Sequence, residues 1–148
     1  MIQELKAVLL RDLASLRREV EQYPDDASLW RVLPGTANPG GNLALHLAGN
    51  LQFMIGAQVG RSGYVRDRDR EFSARGLTRD QVLREVDAAA KAVETGLDAM
   101  DPASLDRDFP VALGGQTLST RRFLITLASH LGYHLGQVNY HRRASAAS

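Results

Sequence analysis

Three of the four histidines in this 148-residue chain fall within the stretch SHLGYHLGQVNYHRR, residues 129 to 143. His130 and His134 stand four apart. On a helix that spacing stacks them about 5–6 Å apart on one face, so both imidazoles can reach one ion at about 2.0–2.1 Å. The fourth histidine, His46, sits in GNLALHLAGN, inside an otherwise apolar helical run. Three nitrogens from two helices form the facial set that holds a metal ion while leaving a coordination position for water or substrate. Cysteine is absent. That removes thiolate ligands, disulfides and a cysteine nucleophile together, and leaves histidines and carboxylates as candidate donors. The other reading of His130 and His134 is structural: two partly buried imidazoles hydrogen-bonded to neighbouring helices.

Phe123, Leu127, His130, His134 and His141 fall in a narrow stripe beside Leu124, Leu131, Leu135 and Val138. The histidine pair therefore faces the interior, where an unpartnered polar group is costly. Asn42, Gly49 and Asn50 share the column of His46. Gly49 is expected to leave room for an ion, while Asn42 and Asn50 are candidates to receive imidazole N–H groups. Gln137, one turn after His134, is a candidate for the same task, and Tyr133 for orienting a bound water. Gly132 and Gly136 flank His134 and predict close backbone approach or space near the site. His141, near the chain end, reads as a packing or solvated residue. No acidic residue falls on the histidine stripe. The sign-alternating run RDRDRE, residues 66 to 71, reads as a solvated loop. Its functional alternative turns Arg66 or Arg68 toward the metal end to hold a substrate carboxylate.

Four apolar-periodic stretches must position these residues, and they predict an all-α four-helix bundle. The first runs from about Ile2 to Tyr23, ended by Pro24, and the second from about Asn42 to Arg61. The third starts at Thr78, where TRDQ is a capping-box pattern, and closes at Asp101-Pro102. The last starts near Ser119 and runs to about Arg143. Between the third and fourth, RDFPVALGGQTL has strand-like residues around a Gly-Gly turn and predicts a short hairpin. Leu29 and Trp30, in the first connection, are expected to fold back onto the bundle. The sixteen residues from Ser62 to Leu77 reach about 50 Å when extended, enough to cross the bundle. Residues 1–143 read as one domain and 144–148 as a flexible tail. Eighteen basic residues against seventeen acidic ones, evenly mixed, argue against a nucleic-acid partner. No apolar run is long enough for a bilayer, and the charged start lacks a secretory h-region. With cysteine absent, the expected location is the cytoplasm.

GNLALHLAGNL followed by LASHLGYHLGQVNYHRR resembles the DinB-like (DinB/YfiT-like) superfamily of bacterial four-helix bundles. NPGGNL before the second helix and YVRDRDREF after it add to the resemblance, which runs from about Leu29 to Arg143. It implies an up-down-down-up bundle, a homodimer, and a nickel, zinc or iron ion held by His46, His130 and His134. His141 matches no ligand of that family. Some relatives are S-transferases or isomerases that use low-molecular-weight thiols, so a thiol cofactor and a small-molecule substrate are implied. A metal-dependent hydrolase and a non-catalytic metal- or ligand-binding scaffold stay open as alternatives. Val8 and Leu16, beside the main stripe of the first helix, give the apolar surface that a second copy would need.

Overall fold

The structure, a computed structural model, describes residues 1–147, which are all-helical with four long helices. The first, α1 (Ile2–Glu21), buries Leu5, Leu9, Leu13, Leu16 and Val20, a three- and four-residue spacing that puts one stripe against the core. Leu16 is fully buried, so the outer apolar surface expected of α1 shrinks to half-buried Val8. A 3-10 turn, Ala27–Trp30, follows and buries Leu29 and Trp30. The Trp30 indole N–H donates to the Leu77 carbonyl at 2.9 Å, which ties two connections together.

The second long helix, α2, is α-helical over Gly40–Leu51 and π-helical over Gln52–Ala57. All twelve residues of its α-helical part are buried. A short helix, α3 (Arg68–Ser73), occupies the connection expected to be a plain loop and is N-capped by Asp67. Instead of extending, that connection folds back onto α2. Asn42 Nδ2 donates to the carbonyls of Glu71 (3.0 Å) and Ala74 (2.9 Å), and Arg75 donates to Asn42 Oδ1 at 2.7 Å.

The capping box at Thr78 forms as expected, with reciprocal bonds to Gln81, and opens α4 (Arg79–Asp98). The predicted hairpin appears only as isolated bridges, Asp108 with Ser119 and Leu113 with Gln116, and no strand forms among the described residues. Its turn places Gly114 and Gly115 at φ 55° and 79°, the paired left-handed geometry that glycine tolerates. Phe109 from this hairpin stacks on Phe123 at 3.8 Å. Ser119 then caps α5 (Thr120–Ala146).

α5 continues to Ala146, past the helix end expected near Arg143, with Ser145 buried. The Arg31 guanidinium donates to the Ser145 carbonyl at 2.6 Å. A cation there satisfies an end carbonyl and complements the helix dipole, so a composition that suggests fraying is held helical. Ser148 lies outside the described residues.

α1 packs against α4 and α5, and α2 packs against the same two. Arg17 meets Asp87 and Lys6 meets Asp98, so α1 and α4 run antiparallel. Glu19 meets Arg142, and Asp12 lies beside Gly132, so α1 and α5 run parallel. The start of α2 is fixed by a buried polar contact: Tyr23 Oη lies 2.7 Å from His141 Nδ1, and His141 Nε2 lies 2.7 Å from the Arg31 carbonyl. A carbonyl only accepts, so Nε2 carries the proton and Nδ1 accepts from the tyrosine. His141 is thus the packing residue its sequence position suggests. Gly40 lies against this pair, where a Cβ would collide with both Tyr23 Oη and His141 Nδ1. Gly40→Ala should therefore destabilise the fold by about 1–3 kcal/mol. Urea unfolding should show a lower midpoint with an unchanged slope.

Candidate metal centre

His46 reaches the centre from α2, while His130 and His134 descend from one face of α5. Their ring centroids are 4.6 to 5.2 Å apart. One nitrogen from each lies within 4.8 Å of the other two. His46 Nε2 and His130 Nε2 are 3.1 Å apart. Two nitrogens each 2.0–2.1 Å from one ion stand about 2.9–3.4 Å apart, so this separation suits shared coordination.

The remaining ring nitrogens show why the donors point inward. His46 Nδ1 lies 3.0 Å from Glu71 Oε1. A carboxylate accepts only, so Nδ1 carries the proton and Nε2 keeps its lone pair. Arg66 Nη2 also lies 3.4 Å from this Nδ1, yet two donors cannot bond each other, and the closer carboxylate decides the tautomer. His134 Nδ1 lies 2.6 Å from Gln137 Oε1, which fixes the same tautomer there. Such carboxylate or amide partners on the far nitrogen orient metal-binding imidazoles and raise their basicity. The donor set therefore fits a divalent ion. His130 has no partner on Nδ1 among the described residues.

Glu71 is the residue that sequence reasoning missed. Arg66 grips it at both oxygens, Nε to Oε2 at 2.9 Å and Nη2 to Oε1 at 2.8 Å. Burial pushes the Glu71 carboxyl up, but hydrogen bonds from Arg66 and His46 outweigh it and leave the group below its ordinary range. Gly49 is what admits it, because a Cβ there would collide with the Glu71 carboxylate. The space expected for an ion is therefore filled by a carboxylate. The only signal in the sequence was that glycine, beside a histidine on a helix buried all round.

Other candidates land elsewhere. Arg66 reaches the metal end, where its Nε and Nη2 hold Glu71. Arg68 lies over the Phe72 ring, 5.1 Å from its centroid, and is exposed. Phe72 packs on His46 at 4.7 Å. Asn42 bonds the backbone of the α3 segment, not an imidazole. Asn50 is buried and its Oδ1 has no partner among the described residues. Tyr133 is exposed, with its ring 5.1 Å from that of His134. Gly132 and Gly136 face outward, with nothing near Gly136 and only Asp12 near Gly132. A cleft of about 550 Å³ opens beside His134 between α5 and residues 33–38.

Burial lowers the pKa of His130 to about 4, helped by the charges of His134, His46 and Arg66. Burial likewise lowers His134. Both imidazoles are therefore neutral, as ligands must be, over the physiological range.

The model of the DinB superfamily matches residues 9–138. No curated protein matches the chain.

Two outcomes follow from this geometry. Because the unfolded value is about 6.5, the unfolded chain takes up more protons than the folded one between pH 6.5 and 4. Stability of the metal-free protein should fall across that window as pH drops. In thermal melts at pH 7, 6, 5 and 4.5, His130→Gln should show a shallower decline than the parent. Glu71→Ala should weaken zinc binding about 10–100-fold by releasing His46, and His134→Ala should weaken it further. In the same calorimetric titrations His141→Ala should leave zinc affinity nearly unchanged while lowering the melting temperature.

Proposed function

Since the chain belongs to the DinB superfamily, we propose that it is a divalent-metal-dependent enzyme acting on a small molecule, with a low-molecular-weight thiol as co-substrate in S-transfer. One observation carries this reading: three imidazole nitrogens converge beside an open cleft, with two of their far nitrogens held by Glu71 and Gln137. His46, His130 and His134 would hold the ion, which nickel, zinc or iron would suit. A divalent ion supplies Lewis acidity, which acidifies a coordinated thiol or water at neutral pH. The chain has no cysteine, so the sulfur comes from outside.

The protein's own groups prepare the site. Glu71 holds His46 in the tautomer that presents Nε2. Arg66 keeps Glu71 ionised by a bidentate contact and halts its rotation. Gln137 does for His134 what Glu71 does for His46, without adding charge. Asn42 and Arg75 fasten the α3 segment that carries Glu71. In the transfer, a bond forms between the thiol sulfur and an electrophilic carbon, the leaving group departs with its electron pair, and the thiol proton goes to solvent.

The proposal extends to an up-down-down-up bundle, which the pairings of α1 with α4 and α5 support. It also extends to a cytoplasmic homodimer, on the resemblance. No helix of the described residues is long and apolar enough to cross a membrane. A hydrolase would use the same three histidines but need no thiol. Elemental analysis should find about one transition metal per chain. With a chromogenic aryl halide, turnover should require both the metal and an added thiol, and EDTA should abolish it. Ester cleavage without thiol would favour the hydrolase, and inertness of the loaded protein in both assays would favour the scaffold.

A further inference from the structure

The cleft beside His134 has no charged side chain in its lining. Its walls are Leu33 and Leu43 on one side and Tyr133, Tyr140 and Ala144 of α5 on the other. By contrast, the cleft near the start of α5, about 510 Å³, is lined by Arg61, Arg107, Asp101 and Asp108. We propose that the His134 cleft receives an uncharged, flat, aromatic part of the substrate, and that its polar contacts are neutral hydrogen bonds. The proposal rests on the functional reading of the three-histidine site and names the substrate class for it.

Four observations support this occupant. A volume of about 550 Å³ lies in the range of small-molecule sites, and suits a two-ring group. Tyr133 and Tyr140 remain 66% and 76% exposed, which leaves their ring faces open for aromatic contact. Gln137 commits its carbonyl oxygen to His134 Nδ1, so its NH₂ stays free as a neutral donor at the cleft. A carboxylate placed there would lose water without gaining a counter-ion. Arg66, the nearest guanidinium to the histidines by its contacts, holds Glu71 through its Nε and Nη2 and does not line the cleft.

The cleft wall is also built in advance. Thr36 Oγ1 donates to the Leu33 carbonyl at 2.7 Å, and its N–H donates to the same oxygen at 3.1 Å. His141 holds the Arg31 carbonyl at 2.7 Å just before this wall. A preformed wall discriminates by shape, since little ordering is left for binding to do.

The test uses 2-naphthamide and 2-naphthoate, which share a shape and differ in charge, titrated into the full chain and followed by amide NMR shifts. In metal-free protein, 2-naphthamide should shift residues 33–38 and 133–144 and bind at least tenfold more tightly there than 2-naphthoate. Tyr140→Ala should weaken 2-naphthamide several-fold. Equal or tighter binding of 2-naphthoate at those residues would overturn the inference. So would shifts confined to the Arg61 cleft, or no shifts at the solubility limit. Concentration-dependent broadening of the same residues without probe would assign the cleft to a second copy instead, and would also overturn it. Zinc titration of the same samples keeps the two readings apart. Zinc binding without naphthamide selectivity sinks the cleft inference alone, and selectivity without zinc binding sinks the metal reading.

Discussion

The burial of the α-helical part of α2 on every side is the constraint from which the site follows. A helix with no solvent-facing stripe can carry a polar residue only where another element supplies its partner. α2 carries Asn42, His46 and Asn50, all buried. Asn42 is satisfied by the backbone of the α3 segment and by Arg75. His46 is satisfied by Glu71 from the same segment on one nitrogen, and faces His130 with the other. The connection between α2 and α4 therefore folds back onto α2 instead of spanning solvent. Asn50 is the exception, with one oxygen left unpaired.

Much of this was legible in the sequence where local rules apply. Thr78 and Ser119 announce the starts of α4 and α5 because a cap needs only residues within one turn. The periodic leucines of α1 identify its buried face for the same reason. The three histidines were recoverable because two share a helix face at i,i+4 and the third interrupts an apolar helix. Glu71 was not, because its role depends on tertiary placement. α3 is six residues long, far below the length at which a helix holds itself, so no periodicity marks it. Alternating charge at residues 66 to 71 satisfies a solvated-loop pattern equally well. Only packing decides that Arg66 and Glu71 turn inward while Arg68 stays at the surface. Burial also removed Leu16 from the outer face, which one helix's pattern could not show.

Electrostatics explain why the carboxylate arrives with its own cation. A lone buried Glu71 would raise its pKa and protonate, and a protonated carboxyl would no longer hold the His46 tautomer firmly. Arg66 offsets the desolvation with two charge-assisted bonds. Together Arg66 and Glu71 sum to zero, so the fold without an ion is not left with a net buried charge. The three imidazoles are the remaining titratable groups, and burial with mutual repulsion holds His130 and His134 low.

The same accounting of partners bears on what the site can recognise. Around the histidine-bearing end, several guanidinium groups are committed within the protein, while Arg68 stays exposed over the Phe72 ring. Arg66 holds Glu71, Arg75 holds Asn42, Arg79 donates to the Glu21 and Tyr23 carbonyls, and Arg31 donates to the Ser145 carbonyl. Each ties a connection to another element or to a helix end, so charge here is used for positioning. Freeing any of them for a ligand carboxylate would release a carbonyl or carboxylate that is partly or wholly out of water, and that loss offsets the gain. In the cleft beside His134, whose lining holds no charged side chain, recognition would fall to the shape of the walls and to the neutral donors of Gln137 and the two tyrosines. An anionic ligand could be held by coordination at the three histidines, whereas the Nε and Nη2 of Arg66 are already engaged by Glu71.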